Sequence, residues 1–300
     1  MPPLAGRIAT LFVIGVAAVP LQPDGNQVAR GLDRPWRLVN GRHWQIEAEN
    51  VEPVRETDLR EGTRGACSEG MVAVIGDMKL DGMDAVEWLQ NTTCTHWIDR
   101  HFPERCAHFD RGAWYEASKT LKMLSMRFCI DRFEYPNRRN GFPIIDVSWR
   151  ESGALCATEG KRLCSEDEWT FACEGEEATP YPSGYARSAK TCVIDRPWRK
   201  VDERALLPRD SRAAIVEIDR LWQGEPSGSH AACRSSFGVY DLTGNVDEWT
   251  SSVDSRERPS VLKGGYWGPD RARCRPSTRA HDQDFSFYQQ GFRCCRDLDW

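Results

Sequence analysis

Twelve cysteines in 300 residues narrow what this chain can fold into more than any other feature. The number is even and too high for a reducing cytosol unless the thiols bind metal. No two are spaced Cys-x-x-Cys, so zinc ribbons and thioredoxin-type chemistry lack support. Disulfides formed in an oxidising compartment are the better reading. The N-terminus agrees. Residues 1–7 carry one positive charge, residues 8–19 are an almost unbroken apolar run, and Val16-Ala17-Ala18 fits a small-residue cleavage site. This order predicts a signal peptide over 1–18 and a periplasmic or extracellular protein. The alternatives are a buried helix or an uncleaved anchor. No other stretch approaches membrane length, so no span is expected in the mature chain.

Hydrophobic residues make up 40% of the chain, enough to bury a real core. The formal net charge of -5 argues against nucleic acid as a partner, since phosphate binding needs a basic face.

Residues 19–66 are polar, mixed and broken by Pro23, Gly25, Gly31 and Pro35. They read as a linker or N-terminal extension, with a short strand at 43–46. A turn at Cys67 feeds a strand reaching Ile75, and a domain is expected over 67–300. A second strand is expected over 126–135, alternating about Phe128, Ile130 and Phe133. Ser148 can cap a helix running to about Glu159 with Gly160 as its stop. Ser165-Glu166-Asp167-Glu168 is a capping box for a helix ending at Gly175. Trp149 and Trp169 are read as core. Residues 197–230 read as an insertion with one helix over 213–222, bearing Ile215, Ile218, Leu221 and Trp222. It is a partner surface or a private lid.

Cys94 and Cys106 flank His96 and His101, and His108 follows. A metal site is one reading. A disulfide-closed loop carrying surface histidines is the other, and the spacings, which match no helical His pair, favour it. Asn91-Thr92-Thr93 is a glycosylation sequon. Cys192 and Cys233 are candidates to close the insertion.

Residues 237–249 read Phe-Gly-Val-Tyr-Asp-Leu-Thr-Gly-Asn-Val-Asp-Glu-Trp. Two glycines and an Asn make this a loop with sharp turns. Such a stretch can aim carboxylates and carbonyls at one point, as hard cations require. It is preceded by Phe142-Pro-Ile-Ile-Asp-Val-Ser-Trp149 and Gly160-Lys-Arg-Leu-Cys-Ser-Glu-Asp-Glu-Trp169. Lys263-Gly-Gly-Tyr-Trp267 and Gly291-Phe-Arg-Cys294 follow it. Blocks in this order resemble the formylglycine-generating enzyme, or sulfatase-modifying factor, family, which includes pyoverdine-maturation and ergothioneine-synthesis branches. The resemblance covers roughly residues 129–295, and ordered blocks are more specific than a lone motif.

The resemblance implies an α+β, C-type-lectin-like formylglycine-generating-enzyme fold, with much irregular structure and disulfide staples. It also implies bridges Cys156–Cys294 and Cys173–Cys274. Cys67, Cys129, Cys164 and Cys295 stay unassigned. Oxygen-dependent members bind copper(I) through two thiolates, a soft-ligand site. Counted from Trp267, Pro269 falls at the first copper cysteine and Cys274 at the second, while Tyr266 stands where the family has its active-site Ser. Copper is therefore not expected. Iron of the ergothioneine branch is unsupported, because no His-rich helical segment is present. Cys274, His281 and Asp282 are the remaining catalytic candidates, with Asp284 nearby. Cys274 is either a reactive thiol or half of a structural disulfide.

The family's structural calcium would fall on the Asp241 side chain, the Gly244 and Val246 carbonyls and the Glu248 side chain. The alternative is an ion-free turn in which Asp241 and Glu248 accept backbone N–H bonds. Two functions remain. One is an exported, oxidoreductase-type scaffold with an altered active site that does not make formylglycine. The other is a non-catalytic module binding a protein, peptide or small molecule.

Overall fold

A computed structural model describes residues 36–47, 67–80, 83–101, 103–254 and 258–298. The expected signal peptide lies outside these residues, as does most of the 19–66 segment. Within that segment, β1 (Trp36–Val39) and β2 (His43–Ile46) form an antiparallel hairpin. The sequence reading had only the second strand. Asn40 and Gly41 both take positive φ, the backbone that tight hairpin turns need. Trp36 and Trp44 are buried and pack edge to face, so the hairpin belongs to the core.

The longest pairing joins β3 (Met71–Leu80) to β6 (Lys122–Asp131), antiparallel over ten residues. Between them lie α1 (Met83–Thr92), the twisted hairpin of β4 (Cys94–Asp99) and β5 (Arg105–Phe109), and α2 (Arg111–Ser118). β7 (Ile144–Ile145) adds to β2 in parallel. α3 (Trp149–Ala157), β8 (Arg162–Leu163) and α4 (Glu166–Glu174) follow. Both helices start at the expected caps: Ser165 with Glu168 forms the expected capping box, and Ser148 forms one with Glu151, which the sequence reading had only as a cap. Gly160 and Gly175, both at positive φ, follow their ends.

α5 (Arg212–Leu221), in the segment expected to be an insertion, starts at the Ser211 cap. Ile218 and Leu221 share a buried cluster with Trp267 and Tyr288, so this helix packs onto the body. A four-stranded sheet then forms from β9 (Asp247–Ser251), β10 (Ser260–Lys263), β11 (Ser277–Thr278) and β12 (Gln290–Phe292). β9 is central: β10 pairs with it antiparallel and β12 in parallel. β13 (Cys294–Asp297) closes the chain between β6 and β8.

Six disulfides use all twelve cysteines. Cys156–Cys294, Cys173–Cys274, Cys192–Cys233 and Cys94–Cys106 agree with the sequence reading. Cys67–Cys129 and Cys164–Cys295 complete the set. The architecture is mixed helix and sheet with short elements and much irregular backbone. No helix among the described residues is long and apolar enough to cross a membrane.

Candidate functional site

Strand alternation sends neighbouring side chains to opposite faces. On β9 this separates two adjacent carboxylates. Glu248 points into the core, 1% exposed. The Arg293 guanidinium forks it, Nη2 to Oε1 at 2.6 Å and Nε to Oε2 at 2.7 Å. The Trp169 indole donates to Oε2 at 2.7 Å. Around this pair lie two more buried carboxylates. Asp241 Oδ2 accepts the Gly228 N–H at 2.6 Å. Glu134 accepts from Ser227 Oγ at 2.6 Å and from Asn245 Nδ2 at 2.8 Å.

Three carboxylates thus face one guanidinium. Burial, then the charges of Asp241 and Glu248, push Glu134 well above the ordinary carboxylate range. Burial pushes Asp241 up to about 6. These residues do not fit a calcium ion as a set. Both expected side-chain ligands already have partners, Glu248 with Arg293 and Trp169 and Asp241 with the Gly228 N–H. Among the described residues no group of three His, Cys, Asp or Glu side chains is disposed to hold a metal. Glu134 and Arg293 were not read as partners of this loop. Arg293 lies inside the quoted Gly-Phe-Arg-Cys block, but nothing in sequence pairs it with Glu248.

Asp247 faces the other way. It is 7% exposed and lines two adjoining cavities. The smaller cavity, about 10 Å³, is lined by Asp270 and Ala272 of the stretch between Pro269 and Cys274 and by Gly264 and Gly265 of the turn before it. That is room for about one water. Pro269 offers no ligand. Cys274 is fully buried in its bridge to Cys173, which removes the reactive-thiol reading. Gly265, at positive φ, turns the chain here, and a Cβ on it would meet the Ala272 backbone at 3.1 Å. A Cβ on Gly268 would come within 2.4 Å of the Tyr266 ring. The Tyr266 ring therefore packs directly against Gly268, next to Pro269. These residues do not fit a copper(I) bis-thiolate.

The larger cavity is a cleft of about 730 Å³. Leu206, Leu207 and Arg209 of the 197–230 segment form one wall, and Phe285, Phe287 and Gln290 another. Asp146 follows β7 at a φ of 58°, a left-handed backbone that is strained for a non-glycine residue. Its Oδ2 accepts from Gln45 Nε2 at 3.1 Å, and burial pushes it up to about 6. Burial and the neighbouring Asp270 push Asp247 well above the ordinary range, against the Gly265 N–H, which favours its charged form. Arg209 is bound to Glu151 and to the Asp146 carbonyl.

His281 lines this cleft, stacked on Phe285 with centroids 4.0 Å apart. Burial holds it below its ordinary pKa. Asp282 Oδ1 accepts the Asp284 N–H, a local turn contact. His281 and Asp284 therefore belong to a cleft, and Cys274 to a disulfide. Elsewhere, Asn91 of the sequon is engaged through both amide atoms, with Glu104 and Arg273.

Residues 87–298 match the sulfatase-modifying factor enzyme 1-like domain, more than half of the chain. The chain belongs to that family. Against the inactive C-alpha-formylglycine-generating enzyme 2 of Mus musculus it is 31% identical over 161 residues, covering 51% of this chain and 48% of that protein. Against the formylglycine-generating enzyme of Mus musculus it is 28% identical over 179 residues, covering 53% and 45%. The chain thus spans about half the length of these curated relatives. The structure of PvdO from Pseudomonas aeruginosa overlays with a TM-score of 0.44 at 16% identity, covering 76% of this chain and 94% of that one.

Proposed function

We propose that this family member is exported, does not convert cysteine to formylglycine, and uses the Asp247 cleft to bind a ligand. The observation that carries the reading is the Cys173–Cys274 bridge beside Pro269. Formylglycine formation in the family's oxygen-dependent form needs two thiolates on copper(I), and this chain offers neither. Tyr266 adds bulk where a small hydroxyl would sit. Similarity to proteins named inactive points the same way. Export rests on the apolar leader and on six bridges, which persist in oxidising compartments. A C-type-lectin-like scaffold suits ligand binding without chemistry; this part is fold-level analogy.

The test offers the oxidised protein a sulfatase-motif peptide with copper(I), oxygen and a thiol reductant. Mass change at the target cysteine is the readout. No turnover above a Cys274→Ala control is expected. Turnover well above that control would return the protein to the catalytic form of the family.

A further inference from the structure

We propose that the cleft beside Asp247 binds an organic cation, an ammonium or amidinium group carried on an aromatic or aliphatic body. This rests on the preceding reading of the cleft as a ligand site. A volume of about 730 Å³ suits a small molecule. Leu206, Leu207, Leu262, Phe285 and Phe287 give the body an apolar bed.

The polar groups are what select the charge. Asp146 and Asp247 line the cleft at 5% and 7% exposure, and Glu203 and Asp284 join them at its edge. Gln290 is 2% exposed and also lines the cleft. Its Oε1 has no hydrogen-bond partner among the described residues. All five carry acceptor oxygens; Asp284 already pairs with Arg150 at 3.2 Å, which leaves Asp146, Asp247, Glu203 and Gln290 facing the cleft. A buried acceptor left unmet costs free energy until a donor arrives. The fixed cation in the lining, Arg209, is already committed to Glu151 and to the Asp146 carbonyl. Burial lowers the His281 pKa and so disfavours its cationic form.

An anionic ligand would face three carboxyl groups. A wholly apolar ligand would leave Gln290 Oε1 unmet. A donor-bearing cation answers both, and the Phe287 ring in the lining adds cation–π attraction.

The experiment titrates the oxidised, full-length chain calorimetrically with benzamidine, benzamide and benzoate, which share one ring and differ in charge. Benzamidine should bind saturably, one per chain, with benzamide and benzoate at least about tenfold weaker. Asp247→Asn should weaken benzamidine at least about tenfold. Should that variant fail to fold, Glu203→Lys replaces it: Glu203 is exposed at the cleft edge, so the fold should survive while benzamidine weakens. Benzoate or benzamide binding as tightly as benzamidine would overturn the proposal. So would no binding by any of the three, or benzamidine affinity unchanged in the variants. The sulfatase-peptide assay runs on the same preparation. Peptide turnover sinks the functional reading, whereas failure of benzamidine alone sinks only the cation.

Discussion

Asp247 and Glu248 are chemically similar neighbours on one strand, yet their surroundings differ in every respect that matters. Glu248 meets an Arg293 fork and a Trp169 donor in the core. Asp247 meets one backbone N–H, a second carboxylate and open volume. The first arrangement is saturated, so it can hold the fold but offers nothing to a ligand. The second is under-satisfied, and such groups mark binding sites more often than structural ones. Residue type does not separate them; the completeness of their hydrogen bonding does.

The bridge Cys173–Cys274 ties these regions together, joining α4, whose Trp169 donates to Glu248, to the stretch that lines the small cavity beside Asp247. Its loss is the strongest way to break the comparison. Cys173→Ala with Cys274→Ala opens a loop of 101 residues. The expected loss is about 4–5 kcal/mol in the chain-entropy model, read by urea unfolding. A loss under about 1 kcal/mol would show that the two regions hold together without it.

Next comes Glu248→Ala, which leaves the buried Arg293 without its partner. A loss of about 3–5 kcal/mol is expected, equal with calcium and with a chelator. A loss seen only when calcium is present would place an ion at the Asp241–Glu248 loop and undo the contrast.

The pH profile gives a smaller effect with a definite sign. Asp146 in the cleft and Asp241 in the node are both pushed up to about 6. Their ordinary value is about 4. A raised folded pKa means stability present in full below about 4 and lost as pH rises through about 6. The melting temperature should therefore rise as pH falls from about 8 to about 5, and Asp146→Asn should flatten part of that rise. A profile flat or falling over that window would contradict the burial assigned to these carboxyls.

Smallest is Asp247→Asn. Replacing an acid that burial already disfavours as a charge should change stability at neutral pH by less than about 1 kcal/mol. Thermal melts of Asp247→Asn beside Glu248→Ala sharpen the comparison directly: equal losses would erase it.

Much of the scaffold was legible in sequence, because its signals are local. Ser148 and Ser165 each carry a Glu three residues on, which defines a helix start without tertiary help. β3 was legible from its apolar run; the second strand was expected over 126–135, whereas β6 spans Lys122–Asp131 because it pairs with all ten residues of β3, leaving Phe133 beyond its end. The Asn40-Gly41 turn was equally local, but the surrounding Pro and Gly made the segment read as linker. The site was less legible. Residues 237–249 read as one loop, yet residues 247–251 form β9 by pairing with β10 and β12. Only that pairing sets the alternation that turns Asp247 to the cleft and Glu248 to the core. Gln290 and Phe285 reach the cleft from beyond β11, and Leu206 and Arg209 from the 197–230 segment. No spacing rule joins residues so far apart. Likewise, Cys67–Cys129 and Cys164–Cys295 needed the fold, because connectivity is not written in spacing.

The central claim is that the position matching the family's second copper cysteine is locked in a bridge and supplies no thiolate. Alkylation of the denatured, non-reduced protein, followed by peptide mapping and a copper(I) titration of the native chain, tests this most directly. The account predicts no alkylated cysteine, a Cys173–Cys274 cross-linked peptide, and no stoichiometric copper retained. An alkylated Cys274 together with one tightly held copper(I) per chain would contradict it.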